Sequence, residues 1–172
     1  MDLVNPVLTA IRERRSIRRY TDAPVTDQEL LAVLEAGRWA PSGMNNQPWR
    51  FLAVRRGDAR AETLAGLTKY AHIVRRAQAL ICLFLSRDAM YNEKKDHQAA
   101  GACLQNMLLA AHSLGLGAVW LGEIVNQEPG VTQALGLDSG ALELQAVIAL
   151  GHPDQKGSGD REPLENLLLE KL

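Results

Sequence analysis

Residues 79–85 read ALICLFL, the longest purely apolar stretch in a chain of 172 residues. Seven residues are too few to cross a lipid bilayer, since a membrane-spanning helix needs about 20. A short apolar run without alternation is typical of a strand that is buried on both faces. The chain is long enough for a sizeable core, so this run predicts an inner strand of a sheet with helices on both sides.

Helix and strand patterns alternate around this run. Asn5-Pro6 predicts a capped helix start, and TDQE at 26–29 has the form of a capping box. Strands are predicted at 51–54, 79–85, 117–121 and 143–150, and helices at about 6–14, 27–38, 58–70, 92–114 and 127–135. No repeat, low-complexity segment or linker interrupts them. We therefore expect one α+β domain over residues 1–172, with three layers.

The longest predicted helix carries AAGACLQNMLLAA at 99–111. It is apolar on most of its circumference, so it should be buried on nearly all sides. A seam between two copies of the chain would bury such a helix more easily than a monomer of this size. The tail, LENLLLEKL at 164–172, suits either a helix or an arm that reaches a partner.

Composition argues against several classes of protein. The formal net charge is −1, whereas nucleic-acid binders usually carry excess positive charge. The start, MDLVNPVLTAIRERR, has no basic segment ahead of a long apolar run, so we expect no secretory signal. Cys82 and Cys103 lie in apolar patterns without CxxC spacing, which predicts buried, reduced thiols and a cytoplasmic protein.

Common catalytic and nucleotide-binding motifs are missing from the sequence. It contains no P-loop and no GxSxG. Gly115 and Gly117 begin a GxG, but Trp120 stands where a dinucleotide-binding turn needs its third glycine. The four histidines show no paired spacing, so no metal site is predicted.

The densest cluster of charge is RERRSIRRY at 12–20, in which five of nine residues are arginine. Just past a helix end, the donors of Arg14, Arg15 and Ser16 can converge on one phosphate, because each guanidinium is a planar fork. The alternative is a solvated basic face paired with Glu13, Asp22 and Asp27. The sequence leaves both interpretations open.

Three further segments contain candidate binding residues. The first is SGMNNQPWRF at 42–51, in which the side-chain amides of Asn45, Asn46 and Gln47 suit the polar edge of a flat heteroaromatic ligand. Trp49 could form a wall of that site, or an ordinary surface turn could bury it. In GAVWLGEI at 117–124 backbone N–H groups after the strand could meet a ligand, or Trp120 could sit in the core. Arg161 lies in a loop rich in glycine and aspartate, where a surface role is the default.

These segments, in this order, resemble the FMN-dependent nitroreductase family over residues 8 to 163. RRSIRRY resembles the opening motif of the family, APSGMNNQPWRF its second motif, AAHSLGLGAVWLGE the helix end and strand before the flavin contact, and GHPDQKGSGDREPLE its closing loop. The resemblance implies a central, mostly antiparallel sheet flanked by helices and an intertwined homodimer.

The resemblance also assigns cofactor-binding positions. The phosphate and ribityl chain of FMN would be held by Arg14, Arg15, Ser16, Arg18 and Arg161. The isoalloxazine ring would meet a loop, usually from the partner subunit, formed by Pro41, Ser42, Gly43, Met44, Asn45 and Gln47. The reactive side of the ring would face Trp120, Leu121 and Gly122. The likeness assigns no side chain as a catalytic acid or base.

By the same resemblance the protein is an enzyme. NAD(P)H would deliver a hydride to the flavin N5, and a nitroaromatic, quinone or similar acceptor would then be reduced in a ping-pong cycle. Two alternatives stay open: a flavin-dependent dehydrogenase or dehalogenase on the same scaffold, and a flavin-binding redox protein without efficient turnover.

Two departures from the family pattern bear on the expected flavin contacts. Where the family often has a second basic residue, two positions before the late arginine, this chain has Gly159, and Lys156 is the nearby substitute. A polar or basic flavin contact ahead of the buried strand is replaced by Tyr70 and Ile73. Both changes reduce the number of expected flavin contacts.

Overall fold

A computed structural model describes residues 5–170 and shows an α+β fold with one four-stranded sheet. The strands are β1 (Trp49–Arg55), β2 (Ala79–Ser86), β3 (Gly117–Leu121) and β4 (Leu142–Gly151). The helices are α1 (Pro6–Glu13), α2 (Asp27–Arg38), α3 (Ala59–Gly66), α4 (Ala71–Arg76), α5 (Glu93–Ser113) and α6 (Gly130–Ala134). Short 3₁₀ turns lie at Gly43–Asn45, Arg87–Ala89, Glu123–Gln127 and Leu164–Asn166.

The sheet is antiparallel throughout, with the strand order β1-β2-β4-β3. The apolar run at 79–85 forms β2, an inner strand whose side chains are almost wholly buried on both faces. The expected strand is therefore confirmed, and β1 and β3 are left as the two edges.

Helices cover both faces of the sheet, which confirms the three-layer prediction. One core lies between the sheet and the α2–α5 pair and includes Val33, Ile81 and Met107. The second core lies under α3, α4 and α6 and includes Leu64 and Phe84. Cys103 belongs to the first core and Cys82 to the second, so the two free, buried thiols lie on opposite faces of the sheet.

The predicted helix starts are confirmed by their caps. The side chain of Asn5 accepts hydrogen bonds from the N–H groups of Val7 and Leu8, with Pro6 in the first turn. Thr26 and Glu29 form both halves of a capping box. Each cap satisfies backbone donors that the helix itself leaves unpaired.

Two helix predictions are wrong in their extent. The helix predicted at 58–70 ends early, because α3 stops at Gly66 and the Thr68 hydroxyl accepts a hydrogen bond from the N–H of Tyr70. The helix α4, which follows it, was not predicted. The helix predicted at 127–135 begins only after Pro129, since the residue before a proline avoids the helical conformation. The tail forms only the turn at Leu164–Asn166, and residues 171–172 lie outside the described part.

The arginine-rich segment after α1 is fastened along the outer edge of β3 and the end of β4. The N–H of Ile17 donates to the Ala118 carbonyl oxygen at 3.0 Å, and the Tyr20 hydroxyl donates to the carbonyl oxygens of Ile17 and Ala149. Gly117 permits this approach, because a Cβ there would lie 2.6 Å from Cγ2 of Ile17.

We expect Gly117→Ala to lower the free energy of unfolding by about 1–3 kcal/mol, as is usual when a tight contact is overpacked. Gly66→Ala at the end of α3 is the matched control, because a Cβ there meets nothing within 4 Å. Urea unfolding of both variants measures the difference. Equal stability of the two variants would show that the segment can move away from β3 at little cost.

Among residues 5–170, no helix combines the length and the apolar character needed to cross a membrane.

Candidate functional site

A cavity lies where the arginine-rich segment meets β3. α1 ends at Glu13, so Arg14 and Arg15 come directly after a helix end, as predicted. Ser16 then pairs with Ala118 in a parallel bridge. The cavity has a volume of about 320 Å³, and its walls are Glu13, Arg14, Arg15, Ile17, Leu108, His112, Gly115, Leu116, Ala118, Pro153 and Gly157.

The loop after β4 closes the cavity by packing directly on Arg15. A Cβ at Gly157 would lie 2.1 Å from the Cβ of Arg15, so no other residue fits there without moving the loop. Arg15 donates through Nη1 to the carbonyl oxygens of Arg12 and Arg14, which places its guanidinium at the end of α1. Gly157 and Arg15 thus form a closely packed wall of the cavity, which we call the cradle, and Arg14 and Arg15 bring positive charge to it.

Two neighbouring guanidinium groups, those of Arg14 and Arg15, lie close to a third from a distant part of the sequence, that of Arg161. Burial lowers the pKa of the Arg14 guanidinium, and the positive charges of Arg161 and Arg15 lower it further. Like charges at close range repel one another, so an anion bound among them would relieve the repulsion. Arg161, which its local sequence marks only as an isolated loop arginine, thus lies near Arg14 in the fold, as the resemblance implies.

Two of the three acidic residues that could neutralise this cluster are engaged elsewhere. Asp22 pairs with Arg56 at 2.6 Å, and Asp27 pairs with Arg55. Within residues 5–170, Arg14, Arg15 and Arg18 form no ion pair. Asp22 and Asp27 therefore do not neutralise the cluster, and Glu13 lines the cavity without forming an ion pair among the described residues.

The outer residues of the cluster are exposed. Arg18 lies at the surface, and Arg161 donates through Nη1 to the carbonyl oxygen of Asp160 at 2.9 Å. Gly159 has a φ of 124°, a backbone conformation that residues with a side chain rarely adopt, so a basic residue is disfavoured there. Lys156 is exposed next to Gly157, close in sequence to the contact with Arg15.

The loop that precedes β1 holds three residues other than glycine in the left-handed region. The φ angles are 53° at Met44, 56° at Asn45 and 46° at Gln47. Each such residue costs about 1–2 kcal/mol. Met44 is 87% exposed, so burial of its own side chain does not offset that cost. Strained, exposed loops of this kind are frequent at binding sites.

The structure decides between the alternatives that the sequence left open for the two tryptophans near the predicted site. Trp49 is buried in the core under α2 and α5, as the alternative for this segment expected, so it cannot serve as the wall of a ligand site. Trp120 on the edge strand β3 is 41% exposed, so the alternative that placed it in the core is wrong. The side chain of Leu121 is buried, which leaves its backbone and that of the exposed Gly122 to face a ligand.

The structure brings the predicted residues together in two separate groups. Arg14, Ser16, Trp120 and Arg161 belong to the β3 edge or the loops beside it, whereas the loop at 41–47 precedes β1. Because β1 and β3 are three strand spacings apart, about 14 Å separates the two edges.

The long helix α5 separates the two groups further. His112 in its last turn lines the arginine cavity, while Asp96 in its first turn bonds to Asn46 of the loop. Sixteen residues of helix at 1.5 Å each span about 24 Å. The two groups of candidate residues therefore lie at separate places on one chain.

Sequence patterns do not mark two residues of the cavity, His112 and Gly157. A lone histidine near a helix end and one glycine in a glycine-rich loop are both common in proteins. The only signal in the sequence was that each residue lies within or next to a segment that already contained candidate binding residues. Their roles become visible when α5, β3 and the loop after β4 are brought together.

Comparisons with known proteins identify the family. The model of the nitroreductase family matches residues 11–69 and 62–152. A crystal structure from Desulfovibrio desulfuricans, of a protein assigned as a nitroreductase and in complex with FMN, is 62% identical, covers 98% of both chains and has a TM-score of 0.97.

More distant relatives cover most of the chain as well. A Methanothermobacter thermautotrophicus protein assigned as NADH dehydrogenase/NAD(P)H nitroreductase is 32% identical over 96% of this chain and 87% of its own. The structure of the Vibrio harveyi NADPH:FMN oxidoreductase complexed with NAD⁺ is 26% identical, with a TM-score of 0.87 over 98% of this chain and 78% of that one.

Proposed function

This chain belongs to the nitroreductase family, and from that premise we propose that it is an FMN-dependent oxidoreductase. Its hydride donor is NAD(P)H, and its acceptors are nitroaromatics, quinones or similar electron-poor compounds. The observation that carries the proposal is the position of Arg14 and Arg15 in the wall of one cavity, with Arg161 close enough for its charge to act on Arg14. None of the three forms an ion pair among the described residues. An unpaired cluster of this kind on a protein of net charge −1 suits one small anion.

The residues around the cavity fit the phosphate of FMN. Guanidinium groups bind phosphate oxygens in pairs, and the cradle between Arg15 and Gly157 admits no side chain. We assign the phosphate to Arg14, Arg15 and Arg161. Ser16, fixed to β3 by its bridge to Ala118, would donate its hydroxyl to the same phosphate, and the exposed Arg18 would contact the ribityl chain.

The exposed end of β3 would receive the ring. Trp120 offers an exposed aromatic surface, and Leu121 and Gly122 offer backbone groups at the edge of the sheet. When bound, FMN supplies the redox chemistry, which is hydride transfer at N5 from NAD(P)H to the acceptor. The task of this chain is to bind and orient, so no side chain is assigned as an acid or base.

We propose further that the active unit is a homodimer with two sites, each completed by the partner. The loop at 41–47 lies at the opposite edge of the sheet from the arginine cavity of its own chain. A two-fold axis relates the same two surfaces in both directions, so each loop can reach the cavity of the other chain. The amides of Asn45 and Gln47 would then meet the ring.

An exposed apolar surface supports this assembly. α1, the end of α2 and α5 enclose a groove of about 430 Å³, lined by Pro6, Val7, Ala10, Ala36, Trp39, Asn106, Leu109, Ala110 and Ser113. Trp39 is 72% exposed and Val7 62%. Contiguous apolar surface of this kind usually marks an interface, and α5 was the helix expected at a seam.

The purified protein should be yellow, and NADH or NADPH should bleach it without oxygen. A nitroaromatic or quinone should then restore the colour, because the hydride passes to the acceptor. Stopped-flow absorbance measures both half-reactions. Slow or absent bleaching would instead favour a flavin-binding protein without efficient turnover, and a colourless protein that takes up no added FMN would refute the assignment.

We expect Leu109→Arg to give a monomer that binds FMN weakly, because it places a charge in the apolar groove. Ala134→Arg on α6 is the matched control, since Ala134 is exposed on the other face of the sheet. Light scattering measures the mass, and visible absorbance measures bound FMN. A monomeric variant with full flavin occupancy would contradict the shared site.

A further inference from the structure

Asp96 is a fully buried carboxylate in the first turn of α5. Its Oδ1 accepts a hydrogen bond from Nδ2 of Asn46 at 2.7 Å. Its Oδ2 accepts two more, from the backbone N–H groups of Tyr91 at 2.9 Å and Asn92 at 2.8 Å. One side chain therefore ties together α5, the turn before it and the loop at 41–47.

The amide of Asn46 can take only one orientation in this network. Nδ2 also donates to the Ala89 carbonyl oxygen at 2.9 Å, while Oδ1 is buried without a partner among the described residues. Turning the amide round would set Oδ1 against two acceptors, the Asp96 carboxylate and the Ala89 carbonyl. Asn46 is thus a fixed anchor, and its own φ of −72° is ordinary.

The anchor stands between the strained residues of the loop. Met44 and Asn45 precede it and Gln47 follows it, all with positive φ. Asp96 also acts on the loop indirectly, because it holds the backbone of Tyr91. A Cβ at Gly43 would lie 1.9 Å from the Tyr91 hydroxyl oxygen, so that ring closely covers the start of the strained turn.

The carboxylate is suited to this task in its charged form. Burial raises the pKa of Asp96, but the hydrogen bonds from Asn92, Asn46 and Tyr91 and the nearby His97 lower it overall. Asp96 therefore stays ionised at neutral pH, and an ionised carboxylate is a pure acceptor for all three donors.

We propose that Asp96 is a positioning residue, which acts through Asn46 and Tyr91 to hold the loop at 41–47 in its left-handed conformation. The loop then presents Met44, Asn45 and Gln47 in the geometry that the flavin ring requires. The role of the loop towards the flavin rests on the proposed function. The role of Asp96 in holding the loop concerns the free protein and does not depend on that function. Strained loops persist only where surrounding contacts determine them.

Two variants test the two ends of the anchor. Asp96→Asn replaces one carboxylate oxygen by an NH₂ group. In either orientation of the new amide, this NH₂ group faces an N–H donor, either that of Asn46 or those of the 91–92 backbone. Asn46→Ala removes only the arm to the loop and leaves Asp96 bonded to the 91–92 backbone. If both act through the same contact, the double variant should be little worse than the worse single one.

The first measurement is hydrogen exchange of the 42–47 amides in flavin-free protein, which we expect to be about tenfold faster in both variants. The second is the Kd for FMN and for riboflavin. Both values should rise by about 5- to 100-fold, as for a lost buried hydrogen bond. Their ratio should not change, because the phosphate cradle is intact.

Thr132→Val is the matched control for a general loss of stability. Thr132 is also fully buried and bonded, to Glu128, but it lies in α6 on the other face of the sheet. This variant should lower the melting temperature without changing loop exchange or either Kd. If it accelerates loop exchange as much as Asn46→Ala does, the effect is general and the proposal is overturned.

The outcomes separate this proposal from the function on which it draws. If wild-type protein binds neither flavin, the proposed function fails, and loop exchange alone decides the role of Asp96. If wild-type protein binds FMN but Asp96→Asn and Asn46→Ala leave exchange and Kd within about twofold, Asp96 does not position the loop. Should Asp96→Asn fail to fold, Asn46→Ala still gives the answer.

Discussion

Replacing Arg14 and Ser16 together by alanine should yield a folded protein that has lost its flavin. Each charge-assisted hydrogen bond to a phosphate contributes about 1.5–3 kcal/mol. Removing two such contacts should therefore weaken FMN binding by roughly 10²- to 10⁴-fold. The Kd for riboflavin, which lacks the phosphate, should change much less, so the preference for FMN should largely disappear.

The fold of this double variant should survive. No described residue pairs with the Arg14 side chain, and Ser16 keeps its backbone bridge to Ala118. Because Arg161 and Arg15 repel the Arg14 charge, flavin-free protein should unfold at the same temperature as wild type or slightly higher. Calorimetry of both flavin-free proteins checks this sign.

Arg19→Ala is the control for a general loss of positive charge. Arg19 belongs to the same arginine-rich segment but does not line the cavity, and its side chain is exposed. Its FMN affinity should stay close to that of wild type. A double variant that remains fully yellow at wild-type occupancy would mean that the phosphate lies elsewhere.

Mixing two inactive variants should restore a defined fraction of the flavin sites. One variant carries Arg14→Ala and Ser16→Ala, and the other carries Asn45→Ala and Gln47→Ala. The second loses two amides and forces alanine into the left-handed region, at about 1–2 kcal/mol per residue. Neither homodimer should hold FMN well, because each of its sites contains one damaged half.

The mixed dimer has a different composition of sites. If each site takes its arginines from one chain and its loop from the other, one site carries both defects and the other carries none. Random assembly makes half of all dimers mixed, so about a quarter of the wild-type sites should recover. Flavin titration of co-refolded protein measures this fraction.

A second mixture serves as the control. Combining the Arg14→Ala, Ser16→Ala chain with an Arg161→Ala chain places both defects in the same half of the site. Every site of that mixed dimer then has a damaged phosphate cradle, so no recovery is expected. No recovery in the first mixture as well would mean that the loop and the arginines of one chain serve the same site.

Much of the fold could be predicted from local patterns. The apolar run at 79–85 has no polar face, so it could only be an inner strand, and it is β2. The caps at Asn5 and Thr26 depend on residues within one turn, and both form as expected. The two wrong helices were those whose limits depend on interruptions within an otherwise helical pattern, at Thr68 and Pro129.

The candidate site could be predicted only in its parts. The motifs marked Arg14, Ser16 and the 41–47 loop, because clustered charge and amides are visible along the chain. They did not separate Trp49 from Trp120, since either side chain could be buried. The position of each strand determines which tryptophan is buried. Trp49 on β1 packs under α2 and α5, whereas Trp120 on the edge strand β3 is exposed to solvent.

By itself, then, the sequence determined the layers of the fold, the positions of the helix caps and the residues that can bind an anion. These features follow from the identity and spacing of residues that are near one another in the chain. Only the tertiary structure decided that Asp96 anchors Asn46, that Gly157 packs on Arg15, and that the loop and the arginines lie at opposite edges of the sheet. Such pairings join residues far apart in sequence, and they are set by strand order and helix packing, which no local pattern records.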